Sequence, residues 1–496
     1  MFDIRGRMLH VAIATSASSA YLLFGYDQGV LGGLVSQPSF LSAIGNPSSG
    51  YLGTIVALFN IGCLGGCVIS AVWGNHMGRK RTIIGGCIIM IIGGIIQAST
   101  YGSGQLIAGR IISGVGNGMN TSTVPVYMSE TSRSTVRGRS LAIQMSMVIL
   151  GTVLAYWLDY GMIHNYTGEV VWRFPLAFQD FFALFTVFSM PFLPESPRWL
   201  YAHGQKEKSI DVLSRLMDCS TNDPTVISIV AEIEQAISVE QHQSRFTIRS
   251  LFYDTTQMKN PRRILLCFLI QFFQQFTGIN VIAFYVTIVL EESVGLSKDM
   301  SSLVAGFIQI AFWVGTFPPI FLIDRLGRRK VLMLGSTVLC VTMVLFTIGI
   351  ALDTPASARL ALAMLFVYEV SFGMSWNSVP WLYAPEITPL NIRHIGAAVG
   401  CFSEWLWTFV IAQMSPPAIA NTGWKFYLLF CLMLALSIPF VYFFLPETNG
   451  KTLEEIDSIF VKKAENQPHE VPNATDSSSA GEQQKLEDRV EWVESV

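Results

Sequence analysis

Residues 124–137 read VPVYMSETSRSTVR, and residues 379–393 read VPWLYAPEITPLNIR. In each stretch a Val-Pro pair precedes a glutamate, and an arginine follows that glutamate seven residues later. Self-similarity at a fixed separation indicates an internal duplication. The chain is therefore interpreted as two copies of one unit.

Two further motif pairs have the same separation. Gly78-Arg79-Lys80-Arg81 recurs as Gly327-Arg328-Arg329-Lys330, and Pro194-Glu195-Ser196 recurs as Pro446-Glu447-Thr448. Each separation is about 250 residues, which is half of the 496-residue chain. A duplication with both copies in the same orientation predicts two halves related by an axis along the membrane normal, with the substrate between them near the midplane. A channel or a membrane enzyme does not require this pattern, so the repeat favours a carrier.

The composition indicates a membrane protein. Hydrophobic residues make up 51% of the chain and charged residues only 14%, whereas soluble proteins carry about 25% charged residues. This deficit argues against a cytosolic enzyme and a disordered chain, and the net charge of −3 gives no sign of a nucleic-acid partner. Crossing the bilayer takes about 20 apolar residues. Twelve stretches qualify, near 9–30, 52–73, 82–100, 104–127, 140–158, 174–193, 263–289, 301–323, 331–352, 359–384, 395–415 and 425–445.

Lysine and arginine are concentrated in every other linker, whereas the opposite short linkers hold few of them. Because positive charge stays on the cytoplasmic side, both termini are expected in the cytoplasm. The four predicted parts are an N-terminal six-helix half (1–194), a cytoplasmic helical linker domain (195–262), a C-terminal six-helix half (263–446) and a cytoplasmic tail (447–496). The tail should begin with a short amphipathic helix and continue as a largely disordered segment. Asn165, in Asn165-Tyr166-Thr167 of an outside linker, is a candidate glycosylation site.

The charges at the predicted cytoplasmic helix ends form a second candidate group. Ion pairs within and between the halves would close this side of the carrier; the alternative is a topology signal that contacts lipid headgroups. The predicted gate residues are Arg79, Glu130, Arg137, Asp324, Arg325, Arg328, Glu386 and Arg393.

Catalytic and metal chemistry find no support in the sequence. The seven histidines are scattered without the spacing of metal ligands,, and most of the eight cysteines lie inside apolar runs, as buried thiols do. The chain is therefore predicted not to be an enzyme and to need neither metal nor cofactor.

Further motifs carry a family resemblance: Phe24-Gly25-Tyr26-Asp27-Gln28-Gly29-Val30, Gly109-Arg110, Trp172-Arg173, Pro194-Glu195-Ser196-Pro197-Arg198, Gln274-Gln275-Phe276-Thr277-Gly278-Ile279-Asn280, Asp324-Arg325-Leu326-Gly327-Arg328, Pro380-Trp381 and Pro446-Glu447-Thr448-Asn449-Gly450. Through them the chain resembles the sugar porter family of the major facilitator superfamily, in its fungal branch, as far as about residue 460. The resemblance implies an all-α membrane protein with twelve transmembrane helices in two pseudo-symmetric six-helix halves. It implies a monomeric plasma-membrane carrier that moves a sugar or small polyol by alternating access, with H⁺ as the coupled ion.

The resemblance also assigns roles to individual residues. The implied substrate-binding residues are Gln144, Gln274, Gln275, Asn280, Trp381 and Glu404. Amide side chains suit sugar hydroxyls because both donate and accept hydrogen bonds, and an indole covers the apolar side of a sugar ring. The glutamines alone are also compatible with helix–helix contacts, and Trp381 with packing. Gly278 would let the seventh span break after the glutamines.

Ionisable residues inside the membrane are expensive and mark function. The candidates are Asp27, Arg110, Asp180, Glu369 and Glu404. Asp27 and Arg110 resemble a pair that couples protons in symporters of the family; the alternative is a static ion pair that joins two helices. For Asp180 and Glu369 a structural and a functional role remain equally open.

The chain departs from the family pattern in the first cytoplasmic loop and at several cavity positions. Asn75-His76 replaces the usual Asp-Arg, Phe312 an asparagine, Asn377-Ser378 a Gly-Pro, and Glu404 an amide. The cavity is therefore atypical, and hexose, pentose, disaccharide, polyol and quinate all remain open as substrates. An uncoupled facilitator, a metabolite carrier of a biosynthetic pathway and a non-transporting nutrient sensor of the same fold are the alternative functions.

Overall fold

The computed structural model describes residues 4–132, 137–242, 259–388 and 393–449, together with residues 451, 456 and 460. Within these residues the ordered elements are helices. The N-terminal part contains α1 (Gly6–Leu34), α2 (Pro38–Ala43), α3 (Ser49–Met77), α4 (Arg79–Ala98), α5 (Ser103–Thr131), α6 (Arg137–Asn165) and α7 (Val170–Ser189). Between the halves lie α8 (Pro197–Ala202), α9 (Lys206–Met217) and α10 (Pro224–His242). The C-terminal part contains α11 (Asn260–Gln275), α12 (Ile279–Ile288), α13 (Lys298–Gly315), α14 (Pro319–Leu326), α15 (Arg328–Ala351), α16 (Pro355–Met374), α17 (Val379–Ile387), α18 (Arg393–Thr422) and α19 (Tyr427–Phe444).

These helices form the predicted twelve membrane-spanning segments. Single helices α1, α3, α4, α5, α6 and α7 provide six of them, and the C-terminal half repeats the arrangement with α11–α12, α13–α14, α15, α16–α17, α18 and α19. By length and apolarity, ten stretches of the described residues qualify as spans, because α18 and α19 are counted together and α5 is too polar. Most helices extend a few residues beyond the predicted apolar cores, since helices continue into the headgroup region.

Breaks in the C-terminal spans occur where the sequence contains helix-breaking residues. Gly278 has φ of 99° and separates α11 from α12, as expected for a left-handed position that glycine occupies without strain. The seventh span therefore breaks directly after Gln274 and Gln275, as predicted. The tenth span is likewise divided, between Met374 and Val379.

Glycines allow the helices of the N-terminal half to pack closely. A Cβ atom at Gly114 would lie 2.1 Å from the carbonyl oxygen of Phe59, and one at Gly118 would lie 2.1 Å from that of Cys63. The backbones of α3 and α5 are therefore in direct contact. This explains why α5 carries the glycine-rich run 114–118, which is a packing feature and not a phosphate loop.

We expect Gly118→Ala to destabilise the protein by about 1–3 kcal/mol, the usual cost of overpacking a close contact. Thermal unfolding of the purified protein in detergent measures the loss as a lower melting temperature. Gly161→Ala in α6 is the matched control, because a Cβ at Gly161 would meet no atom within 4 Å. Equal melting temperatures for the two variants would contradict the close packing of α3 on α5.

The helices between the halves identify one side of the bundle, called here the linker side. Trp199 Nε1 of α8 donates to the Asn75 carbonyl at the end of α3, and His10 Nε2 of α1 lies 3.1 Å from the Leu216 carbonyl of α9. On the same side, Ile456 and Phe460 are buried and helical, and the guanidinium carbon of Arg263 lies 4.2 Å from the centre of the Phe460 ring. The predicted disordered part of the tail lies outside the described residues.

Among the described helices, the main contacts between the two halves are those of α1 with α12, of α3 with α18, and of α6 with both α13 and α14. Away from the linker side, Thr287 Oγ1 donates to the Gly32 carbonyl at 2.7 Å, and Tyr156 Oη to the Ala283 carbonyl at 3.0 Å. Gln413 Nε2 donates to Thr54 Oγ1 at 2.9 Å in the same region. These hydrogen bonds hold the halves together at the end of the bundle opposite the linker.

Candidate functional site

Three of the predicted binding residues form one cluster in the C-terminal half. Asn280 Nδ2 donates to Gln275 Oε1 and lies 3.5 Å from Thr408 Oγ1 of α18. Glu404, one turn before Thr408, lies beside the Gln275 amide. Its Oε2 atom is buried without a hydrogen bond to the described residues. The break at Gly278 places Gln275 and Asn280 on either side of one turn, so both reach α18.

The two other predicted glutamines are also buried. Gln274 precedes Gln275 in α11, and Gln144 lies in the N-terminal half. Gln274 Nε2 donates to the Trp376 carbonyl at 2.8 Å, and this bond fixes the side chain against the broken tenth span. Gln144 of α6 is buried, and neither of its amide atoms has a hydrogen-bond partner among the described residues. It lies two residues before Ser146, which accepts a hydrogen bond from Thr316 of α13 at 2.8 Å. Gln144 therefore lies on α6, one of the helices that contact the other half.

Trp405 is the aromatic residue that connects this cluster to the N-terminal half. Its ring centre lies 5.4 Å from that of Phe24 and 6.4 Å from that of Phe59. Its side chain is buried, and Nε1 has no hydrogen-bond partner in the described part of the chain. Trp381, the predicted indole, is only half-buried in α17. Sequence reasoning missed Trp405, although it directly follows Glu404.

Other polar residues of the interior were also missed. Asn60 in α3 and Gln309 in α13 are buried, and no described residue hydrogen-bonds to either amide. A buried amide without a partner costs free energy, so such residues are candidates for contact with a polar ligand. The sequence alone did not distinguish them from polar residues that join neighbouring helices.

Asp27 and Arg110 form a fully buried ion pair. Arg110 Nη1 lies 2.6 Å from Asp27 Oδ1, and both side chains are 0% exposed. The Arg110 guanidinium carbon also lies 4.3 Å from the centre of the Phe59 ring. Phe59 also contacts Trp405, so one aromatic ring touches both the ion pair and the residue next to Glu404.

The remaining intramembrane carboxylates lie apart from this pair. Glu369 of α16 and Asp159 of α6 are fully buried, and neither has a hydrogen-bond partner among the described residues. A Cβ at Gly33 would lie 2.3 Å from Asp159 Oδ2, so Asp159 packs on α1. Asp180 is half-buried against Gly94 of α4. The sequence analysis missed Asp159 because the predicted fifth span ends at residue 158, whereas α6 continues to Asn165.

At the linker side, the two copies of the repeat form the same ion pair. Arg79 Nε and Nη2 donate to the two Glu130 oxygens at 3.0 and 3.1 Å. Arg328 Nε and Nη2 donate to the two Glu386 oxygens at 3.2 and 2.8 Å. Bidentate pairs of this kind are the strong ones because both oxygens are engaged.

The third repeated motif completes each network. Glu195 accepts hydrogen bonds from the Arg79 and Lys80 amides, and Glu447 from the Arg328 and Arg329 amides. Both carboxylates lie beside a glycine with positive φ, Gly78 or Gly327. Burial raises the pKa of the Glu195 carboxyl, and the surrounding N–H donors and the Arg79 charge oppose that rise.

The other predicted gate residues do not all lie in these two networks. The two ion pairs formed between described gate residues, Arg79–Glu130 and Arg328–Glu386, each lie within one half. Arg325 is exposed, whereas the side chains of Arg137, Asp324 and Arg393 lie outside those described. Asn75, which replaces the usual acidic residue, still accepts a hydrogen bond from Arg79 Nη1 at 3.3 Å. Asn165 is exposed at the end of α6, and its Nδ2 donates to the Gly161 carbonyl.

Comparison with known proteins identifies the family. Residues 12–460 match the model of the family described as "Sugar (and other) transporter". The MFS-type transporter oryC of Aspergillus oryzae is 36% identical over 467 residues, which cover 92% of this chain and 87% of the relative. The sugar transporter STL1 of Saccharomyces cerevisiae is 35% identical over 487 residues, which cover 95% of this chain and 85% of the relative.

Solved structures give the same result. The proton:xylose symporter XylE, bound to 6-bromo-6-deoxy-D-glucose, matches with a TM-score of 0.78 at 26% identity, and the match covers 91% of this chain and 99% of XylE. The described helices, their arrangement in two halves and the matched relatives agree on a transporter and not an enzyme. The chain belongs to the sugar porter family of the major facilitator superfamily and is a multi-pass membrane transporter.

Proposed function

We propose that this transporter moves a sugar or small polyol by alternating access and couples each transport cycle to a proton. The observation that carries the proposal is the contact chain from the buried Asp27–Arg110 pair through Phe59 to Trp405, the neighbour of Glu404. A substrate bound at Glu404 and Trp405 could shift the Phe59 ring and, through it, the Asp27–Arg110 ion pair. The relation to XylE, itself named a proton:xylose symporter, supports the coupling.

The coupling mechanism follows from the electrostatics of a dry site. While Arg110 lies beside Asp27, the carboxylate is stabilised in its charged form. If closure around the substrate separates the two, a buried unpaired carboxylate becomes too costly and takes up a proton. Protonated Asp27 then allows the N-terminal half to rock. Release of the proton on the other side resets the pair.

The substrate class follows from the donors and acceptors of the cluster. Gln275 and Asn280 supply amides, Glu404 supplies a carboxylate oxygen, and Gln274 Oε1 is buried without a hydrogen bond to the described residues. Polyhydroxylated compounds match this mixture because each hydroxyl donates and accepts. The Trp405 ring offers an apolar face for the carbon skeleton.

The proposed orientation places the linker side in the cytoplasm, as the distribution of lysine and arginine indicates. Both termini are then cytoplasmic, and Asn165 faces the outside. The hydrogen bonds between the halves opposite the linker would close the cavity to the outside, so this arrangement corresponds to a state closed on the extracellular side. The plasma membrane is the proposed location.

A radiolabelled uptake panel tests the proposal. The chain is expressed in yeast that lacks its own sugar transporters, and hexoses, pentoses, disaccharides, polyols and quinate are offered with and without a protonophore. We expect accumulation of one sugar or polyol that the protonophore abolishes. An internal substrate concentration that only reaches the external one, with or without the protonophore, would indicate an uncoupled facilitator. Binding of the substrate without uptake would indicate a sensor.

We expect Glu404→Gln to raise the KM for the transported substrate about tenfold. Leaving one partner of a buried hydrogen bond unsatisfied costs about 1–3 kcal/mol, and the amide of the variant can place an N–H group where Glu404 Oε2 would accept from a substrate hydroxyl. Initial uptake rates over a range of substrate concentrations measure KM. Asp180→Asn, which also neutralises an acid within a spanning helix, is the control and should leave KM unchanged. An unchanged KM in Glu404→Gln would exclude this carboxylate from the binding site.

A further inference from the structure

A cavity of about 340 Å³ lies at the linker side, far from the substrate cluster. It is bounded by the first turns of α1, the last turns of α7 and the helix α9, and its lining includes Leu9, Ala12, Phe185, Phe192 and Arg215. Phe185 and Phe192 are 43% and 58% exposed, as expected for side chains that face lipid. The cavity therefore opens toward the bilayer and not toward the transport pathway.

Arg215 is the one charged side chain in this mostly apolar lining, which also includes the hydroxyl residues Thr15, Ser16 and Ser189. It is only 9% exposed, and its Nε atom is buried without a hydrogen bond to the described residues. Its one hydrogen bond in the described part of the chain is a long one, from Nη2 to the Ile4 carbonyl at 3.4 Å. A buried guanidinium is costly unless it is paired with an anion. The Arg215 guanidinium can thus donate hydrogen bonds to an anion that enters the cavity.

Among the described residues, no carboxylate pairs with Arg215. Asp218, just beyond the end of α9, lies beside Gly6, and in the described part of the chain it forms no ion pair with Arg215. The exposed residues Arg5 and Arg7 lie within a turn of the lining residue Ile4 and add positive charge. An anion with an apolar chain fits the combination of a buried cation, an apolar lining and an opening to lipid.

We propose that this cavity binds an anionic phospholipid, with an acyl chain beside Phe185 and Ala12 and the headgroup phosphate paired with Arg215. Arg is suited to this role because its planar fork binds phosphate with two parallel hydrogen bonds. With the linker side in the cytoplasm, the site lies in the leaflet that carries anionic lipids. The bound lipid would fasten α9 to α1 and α7, and so connect the linker helices to the N-terminal half.

Native mass spectrometry of the purified full-length protein tests the proposal. The probes are phosphatidylserine, phosphatidylcholine and sn-glycerol 3-phosphate, and the variants are Arg215→Gln, Lys208→Gln and Ala12→Phe. Lys208→Gln is the matched control because Lys208 is exposed on the same helix, so it removes the same charge without changing the cavity. Ala12→Phe fills the cavity and keeps Arg215.

We expect one phosphatidylserine adduct on the wild type and on Lys208→Gln, and an at least fivefold loss in Arg215→Gln and Ala12→Phe. Equal adducts on Arg215→Gln and Lys208→Gln, or an unaffected Ala12→Phe, would overturn the proposal. Equal retention of phosphatidylcholine would overturn the preference for anionic lipid, and displacement by glycerol 3-phosphate would show a site for soluble phosphate. Should Arg215→Gln fail to fold, Ala12→Phe still decides the outcome.

Discussion

Asp27→Asn is expected to abolish concentrative uptake while exchange across the membrane continues. In whole cells the labelled substrate should rise only to the external concentration, and a protonophore should have no further effect. The reason is that an asparagine neither carries the negative charge nor takes up a proton, so the cycle loses its coupled ion. Counterflow, in which unlabelled substrate inside drives labelled substrate inward, needs only the loaded carrier and should remain.

The substitution also leaves Arg110 buried without its anion, which costs about 3–5 kcal/mol when one partner of a buried pair is removed. The double variant Asp27→Asn/Arg110→Gln removes this penalty, and we expect it to melt close to the wild type but to remain unable to concentrate substrate. Asp180→Asn should concentrate substrate normally. Concentrative, protonophore-sensitive uptake by Asp27→Asn would reject proton coupling at this pair.

The internal repeat of the sequence pointed to the residues that form the ion pairs at the linker side. Matching Glu-to-Arg spacing identified the two bidentate partners Glu130 and Glu386, and the recurring Gly-Arg motifs identified Arg79 and Arg328. The two pairs can be located because both copies keep the arginine and the glutamate, although Asn75-His76 and Asp324-Arg325 differ between the copies. The same repeat contained Glu195 and Glu447, but backbone amides were their partners, and no residue pattern reveals a backbone partner.

The interior of the site was harder to predict. Hydropathy measures how many apolar residues a span contains and not which side of it faces a cavity, so Asn60, Gln309 and Trp405 could not be separated from packing residues. Asp159 was missed for another reason: its polar character ended the predicted span, although α6 continues past it. A polar residue inside a membrane protein thus lowers the hydropathy of its segment, and hydropathy is the signal by which the segment is recognised.

Glu386→Gln is expected to slow transport about tenfold or more, with little change in KM. Glu386 accepts two hydrogen bonds from Arg328 and one from Thr448 Oγ1, so it joins α15, α17 and the segment after α19 into one rigid body. Losing the partly buried charge costs about 2 kcal/mol, between the values for exposed and buried pairs. Glu386 lies at the linker side and away from the substrate cluster, so the loss should affect the rocking step and not binding.

The duplication predicts the same effect for the equivalent glutamate of the N-terminal half. Glu130→Gln should cause a defect of similar size, because Glu130 has the equivalent partners Arg79 and Ser196. The double variant should lose about the product of the two factors, since separate networks add in free energy. Initial rates and KM measured at equal surface expression check both statements. The control is Glu169→Gln, whose ion pair with Arg173 is exposed, with 63% of the Glu169 side chain accessible, and should change the rate less than twofold. A defect in one half alone would mean that the two copies, despite their matching geometry, no longer share one mechanical role.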